Sequence, residues 1–104
     1  MIKLVNMMIE WLRFRVPVEK RTAFLQKDEE IWTTALQEFP GFLGKETWVD
    51  PENQDIIFVI RWSNKEMWKA VSEAEIMALD QQMGNLWMPM IESREYQVCP
   101  FEFD

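Results

Sequence analysis

Histidine is absent from this chain of 104 residues, and cysteine occurs once, at Cys99. The missing imidazole removes the commonest general base, the usual partner of a nucleophilic serine or cysteine, and the commonest transition-metal ligand. A Ser-His-Asp hydrolase and a His-ligated haem are excluded, and a zinc site would need almost wholly carboxylate ligands. A single cysteine forms no internal disulfide and no thiol cage, and with no histidine to activate it a buried, inert Cys99 is expected. Glycine is scarce as well: Gly41, Gly44 and Gly84 are the only three. Neither G-x-x-x-x-G-K-[ST] nor G-x-G-x-x-G occurs, which argues against a phosphate-cradling loop. Bases are outnumbered, eleven against eighteen acids, for a net charge of −7. That balance argues against nucleic acid and anionic membrane as partners, since both are held by basic surface. No apolar run approaches the roughly 20 residues of a membrane-spanning helix. The first residues lack a signal-peptide pattern, so a cytoplasmic location is expected. Carboxylate chemistry or plain binding remains, with no metal and no cofactor expected.

What is present is a core. Hydrophobic residues make up 48% of the chain, enough for one α+β or all-α domain. A chain this short buries roughly two-thirds of its unfolded surface, so a roomy pocket is expected to need a second subunit. Met8 to Val16 alternates as a strand, with Met8, Glu10, Leu12, Phe14 and Val16 on one face and Ile9, Trp11, Arg13 and Arg15 on the other. Pro17 ends it. From Val18 to Phe39 the spacing of Leu25, Trp32, Leu36 and Phe39, widened by Ile31 and Ala35, predicts a helix, with Asp28-Glu29-Glu30 on its solvated side. Pro40-Gly41-Phe42-Leu43-Gly44 breaks that helix and Lys45 to Val49 is a second strand. Ile56 to Trp62, apolar on both faces, belongs at the centre of the sheet.

Ser63-Asn64-Lys65-Glu66 and Ser72-Glu73-Ala74-Glu75 both match the S-x-x-E capping box, which predicts a second helix in two pieces joined at Ser72. Asn85 to Ile91 reads as an apolar connection, and Ser93 to Phe103 as a last strand that Pro100 confines to an edge. The order is β-α-β-β-α-β. Met1 to Met7 stands outside this pattern. Met7 and Met8 both offer translation starts, so either a misassigned start or a short disordered or strand-extending arm is expected there, with residues 8–104 as the domain.

That order, with Pro40-Gly41-Phe42-Leu43-Gly44 after the first helix and Trp62-Ser63-Asn64-Lys65-Glu66 at the exit of the third strand, resembles the dimeric α+β barrel superfamily and its antibiotic-biosynthesis-monooxygenase-like branch. Ile9 to Val16 and Ser93 to Val98 also resemble a group of uncharacterised cyanobacterial proteins of that type. The resemblance implies a ferredoxin-like subunit, an antiparallel sheet covered by helices on one face, and a homodimer that closes a barrel with the uncovered faces. It does not carry over the haem-degrading members' residues. Their first-strand asparagine falls at Trp11 and Leu12, their helix tryptophan near Val71 and their histidine near Gln81. The polar pocket of the cofactor-independent monooxygenases is matched in chemistry by Arg61, Asn64, Trp68 and Tyr96.

Read by face, Ile9, Trp11, Arg13, Ile57, Val59 and Arg61 are too apolar for water and too charged for an ordinary core, which suits an interface. Of the six tryptophans, Trp32 and Trp62 lie on core stripes, whereas Trp11 and Trp48 are free to stack an apolar or aromatic ligand. Glu46 shares a strand face with Trp48. Desolvated, it would act as a proton acceptor; alternatively it pairs with Arg13 or Arg61 across the strands. Arg13 and Arg61 either clamp an anion or make such pairs. The candidate site is thus Glu46 as base, with Trp11, Arg13, Trp48, Arg61, Asn64, Trp68 and Tyr96 around a ligand in a barrel pocket. The alternative is a non-catalytic interaction module with a filled barrel.

Overall fold

The computed structural model describes residues 6–99; most of the Met1 to Met7 arm and the Pro100 to Phe103 end of the expected last strand lie outside the described residues. Strand β1 spans Met8–Phe14, β2 Phe42–Val49, β3 Ile56–Trp62 and β4 Met90–Gln97, in the spatial order β2-β3-β1-β4. All three pairings are antiparallel. The helical layer consists of α1 (Arg21–Asp28), a π turn (Glu29–Thr33), α2 (Thr34–Leu36), α3 (Lys65–Lys69) and α4 (Glu73–Gln82). This is the β-α-β-β-α-β order read from the residue pattern, in the α+β, ferredoxin-like arrangement that the resemblance implies. The predominantly apolar β3 is indeed interior to the sheet, and β4 is at its edge.

One face of the sheet meets the helices. Ile56, Phe58, Ile60 and Trp62 of β3 form the core with Phe24, Leu36 and Met83, and Met8, Leu12, Phe14 and Phe42 pack against them. Phe14, Phe24 and Phe58 make a three-ring cluster with centroids 5.4 to 6.0 Å apart. The opposite face carries Ile9, Trp11 and Arg13 of β1, aligned with Arg61, Val59 and Ile57 of β3. Glu46 and Trp48 extend that face on one side, and Tyr96, Arg94 and Glu92 on the other.

The long first helix departs from the predicted stripe. Its buried positions are Phe24, Asp28, Thr33 and Leu36, so the steps are four, five and three residues. The five-residue step is the π turn, whose i→i+5 bonding inserts a residue and rotates the remainder of the helix. Trp32 is thereby turned to the margin of the core and Thr33 into it. Asp28, expected in solvent with Glu29 and Glu30, is buried in an ion pair with Lys45 of β2, while its two neighbours are exposed.

Smaller boundaries move too. The cap of α3 is Asn64 rather than Ser63: its Oδ1 accepts from Met67 N at 2.8 Å, while Ser63 N–H donates to Gly41 O at 2.8 Å and is committed to the turn. The Ser72–Glu75 capping box forms with both bonds in place, and the second helix breaks there as the two boxes predict. β2 starts at Phe42, and Met90 and Ile91 belong to β4 rather than to the connection before it. Gly41 has φ +89°, and a Cβ there would fall 2.6 Å from Met67 Cβ, so the turn into β2 is fitted against α3 by the absence of a side chain. Cys99 is exposed, not buried.

Candidate functional site

The sequence-predicted residues separate onto two sides of the sheet. Trp11, Arg13, Glu46, Trp48, Arg61 and Tyr96 all lie on the face without helices. There the charged groups are paired. Glu46 bonds Arg61 at 2.7 Å, the cross-strand pairing that is the alternative to a base. Arg13 Nη1 sits 3.2 Å from Asp50 and 3.0 Å from Asp55, and its guanidinium is 5.2 Å from the centre of the Trp11 ring. Arg94 approaches the same ring at 5.4 Å and bonds Glu92 and the Tyr96 hydroxyl. Asp55 also takes a two-pronged bond from Arg15, and the guanidinium bonds hold its carboxyl below the usual range, against burial. Asn64 is occupied as the cap of α3.

The space for a ligand is on the other side. Between the helices and the sheet lies a chamber of about 760 Å³, partly open to solvent, within one subunit. This chamber corrects the expectation that a roomy pocket needs two subunits. The void is not sealed: its mouth is bordered by Trp87 and Met90, both about half exposed, at 48% and 50%. A side opening to water avoids the cost of an empty internal cavity. The walls are Leu12, Phe14, Phe58, Ile60, Val71 and Met88 with Trp32 and Trp68, so of the sequence-predicted residues Trp68 alone lines it.

Glu10 forms part of its floor. It sits on β1 among Met8, Leu12 and Phe14, directly across from Ile60 on β3 and Glu95 on β4. The Trp62 indole Nε1 donates to Glu10 Oε1 at 3.1 Å. Burial pushes the Glu10 carboxyl above its ordinary range; the hydrogen bond from Trp62, the charge of Lys69 and a contact from Trp68 oppose this in part. Its neighbour Glu95 behaves oppositely. Lys69 at 2.8 Å and Lys65 at 3.4 Å hold that carboxyl down. The two adjacent carboxyls thus have opposite surroundings, Glu10 desolvated under indoles and Glu95 exposed beside two lysines. Lys69 also lies 4.0 Å from the Trp68 ring centre, keeping that ring in place over the floor.

A second polar group stands across the floor. Lys45 Nζ bonds the Asp28 carboxylate, donates to Thr33 Oγ1 at 2.9 Å, and lies 4.3 Å from the centre of the Phe58 ring. Burial raises the Asp28 carboxyl, and the Lys45 charge and hydrogen bond oppose it. Reasoning from sequence misses Glu10 and Lys45 as site residues because each reads as one position in a strand. The available signal is an acid in the middle of the otherwise apolar stripe Met8-Leu12-Phe14. Among the described residues no group of three or more His, Cys, Asp and Glu side chains could hold a metal ion, and no helix is long and apolar enough to cross a membrane.

No protein-family model matches the chain, and neither does any curated protein. Solved structures do. A protein from Bordetella bronchiseptica, described as a candidate antibiotic biosynthesis monooxygenase, superposes with a TM-score of 0.73 at 14% identity, over 89% of this chain and 97% of that one. A protein of the same description from Nitrosomonas europaea gives 0.69 at 13% identity, over 92% and 93%. A dimeric protein of unknown function with a ferredoxin-like fold from Bacteroides fragilis gives 0.65 at 14% identity, over 92% and 100%. At these identities the likeness is one of fold.

Proposed function

We propose that the chain binds an apolar or aromatic small molecule in the chamber between helices and sheet and oxidises it as a cofactor-independent monooxygenase, with Glu10 as the base. The observation that carries this reading is a buried carboxyl with raised proton affinity, under two indoles, on the floor of an apolar chamber. A base is most effective when its pKa approaches the working pH, and desolvation moves a carboxylate in that direction. Glu10 takes a proton from an acidic ring carbon of a phenolic or quinol-type substrate. The carbanion left behind is electron-rich enough to react with dioxygen directly. For a ring methylene, one oxygen atom ends as the new carbonyl and the other leaves as water with the two hydrogens. Trp68 and Trp32 supply flat apolar walls for an aromatic ring.

The helix-free face serves assembly in this reading. Trp48 and Tyr96 stand there at 47% and 45% exposure, and a second copy of the chain would cover them and close a barrel, giving a homodimer. The residues predicted from sequence as a ligand site, Trp11, Arg13, Glu46, Trp48, Arg61 and Tyr96, then become interface. The ion pairs of Glu46 with Arg61 and of Arg13 with Asp50 and Asp55 favour a filled barrel, and a filled barrel does not argue against ligand chemistry, because the chamber lies elsewhere. The test is aerobic incubation with phenols and hydroquinones from about pH 5 to pH 9. Oxygen uptake that matches substrate loss and falls at least about a hundredfold in Glu10→Gln supports the proposal. Neither uptake nor substrate loss across that range overturns it in favour of a non-catalytic binding module.

A further inference from the structure

Between Lys69 and Arg94 the chain has no basic residue, while Glu73, Glu75, Asp80 and Glu92 supply four acids. This stretch contains α4 and the connection to β4. Glu73, Ile76, Asp80 and Met83, three to four residues apart along α4 and its cap, all line the chamber. Asp80 is badly placed for a structural acid. It lies in the last turn of α4, where the unpaired carbonyl groups leave a partial negative charge, and that turn holds no basic residue. It is also partly buried, and among the described residues no cation or hydrogen-bond donor reaches its carboxylate. The fold itself supplies nothing to offset a negative charge there.

The charges around the chamber do not cancel. Each base that lines it is already answered, Lys45 by Asp28, Lys69 by Glu95 and Arg94 by Glu92. Asp28 and Glu95 are taken up in those pairs, which leaves the lining acids Glu10, Glu73 and Asp80 without an ion-pair partner among the described residues. The excess is negative, and it is set among indoles. Trp32, Trp68 and Trp87 also line the chamber, and α4 packs on the π turn that carries Trp32. Indole faces attract cations, most strongly where water is kept away. A bare metal ion does not suit this arrangement, because the described residues hold no group of three or more acids close enough to share one. An organic cation does, since its charge can meet one carboxylate while its apolar body lies on the rings. The chamber provides the space and the apolar contact; the unanswered acids decide the sign of the guest.

We infer that the ligand of the chamber is an aromatic or apolar ring bearing a protonated amine, with Asp80 as the carboxylate that receives the ammonium. The inference rests on the chamber being the ligand site. An alkylamine, with a pKa near the value of about 10.4 for a lysine side chain, is a cation throughout the neutral range. A net charge of −7 draws such a cation toward the protein and disfavours an anion of the same shape. Asp80 belongs to the helix layer and Glu10 to the sheet, so an amine held by the first leaves the second facing the ring.

The experiment is calorimetric titration of the full chain with tyramine, with 4-propylphenol as its neutral counterpart and with 4-hydroxyphenylacetate as its anionic one. The expected order of affinity is cation, neutral, anion, with tyramine about tenfold tighter than 4-propylphenol, the scale of one part-buried ion pair beside an aromatic face. Raising sodium chloride from about 20 to 200 mM weakens tyramine by about threefold and leaves 4-propylphenol unchanged. Asp80→Asn removes an unfavourable charge from a helix end, so it is expected to fold, which circular dichroism establishes, and to lose most of the tyramine advantage. Glu30→Gln removes the same charge from an exposed position outside the chamber and keeps that advantage within about twofold. If 4-propylphenol or 4-hydroxyphenylacetate binds as tightly as tyramine, or if salt leaves tyramine unaffected, the inference is overturned and the chamber reading stands. A tyramine advantage that survives in Asp80→Asn, or that Glu30→Gln loses equally, has the same consequence. Failure of all three probes to bind the unaltered chain overturns both this inference and the chamber reading.

Discussion

Replacing Glu10 by glutamine separates a functional carboxylate from a structural one, because the two roles predict opposite signs for stability. Glutamine keeps the length of the side chain and an oxygen to accept from the Trp62 indole, so the 3.1 Å bond survives. What disappears is a negative charge held in an apolar chamber. Burial is the largest influence on this carboxyl and raises its proton affinity, which means the folded state binds its proton more tightly than the unfolded chain does. Between the unfolded and folded pKa values the folded state therefore holds more protons, and stability falls as pH rises through that window. Each unit of pKa difference corresponds to about 1.4 kcal/mol. A desolvated charge removed without loss of its hydrogen bond returns on the order of 1 kcal/mol, or roughly 4 to 8 °C in Tm for a chain near 100 residues. Glu10→Gln is accordingly expected to melt higher than the parent chain at pH 8, with the difference shrinking toward zero below about pH 4, where Glu10 is protonated in both states. Thermal melts at matched protein concentration across that range measure it. A variant that melts lower than the parent, by the same amount at every pH, would mean that Glu10 is held for its contacts, and the base assignment would fall.

Three further outcomes are expected. Gly41→Ala must place its Cβ 2.6 Å from Met67 Cβ at a φ of +89°, and the combined clash and left-handed strain should cost about 2 to 3 kcal/mol in denaturant unfolding. Asp55→Asn should narrow the difference in Tm between pH 7 and pH 3, because Arg15 and Arg13 hold the Asp55 carboxyl down and its contribution is lost as pH falls through the folded-state pKa; an unchanged difference would refute the pairing. On the proposed dimer, the parent chain should sediment as a dimer and Trp48→Glu, on the helix-free face, as a monomer; a parent chain that sediments as a monomer would refute the assembly.

Much of the architecture is legible in the sequence because periodicity and end signals agree. The even-numbered residues of β1, the predominantly apolar run of β3 and the capping box at Ser72 each indicate a local conformation and also a place in the sheet or helix layer. The π turn is different. A helix read with a 3.6-residue period has no way to announce an inserted residue, so the predicted stripe runs through Trp32, one position away from the buried Thr33, and leaves Asp28 in solvent. That single phase change also hides Lys45, which Asp28 ahead of the turn and Thr33 at its end engage together. The candidate site is legible in chemistry more than in location. Tryptophans, arginines and a strand glutamate do group on one face, as their alternation indicates. Which face receives a ligand depends on how far the helices stand off the sheet, and that distance follows from packing between remote residues such as Phe24 and Met83.

A crystal structure of the protein grown with a hydroquinone tests most directly whether ligand chemistry takes place between helices and sheet. Density for the ring against Glu10, Trp68 and Lys45 is the predicted result. Density instead on the strand face of Trp11, Trp48 and Arg61, with the chamber collapsed, would contradict it.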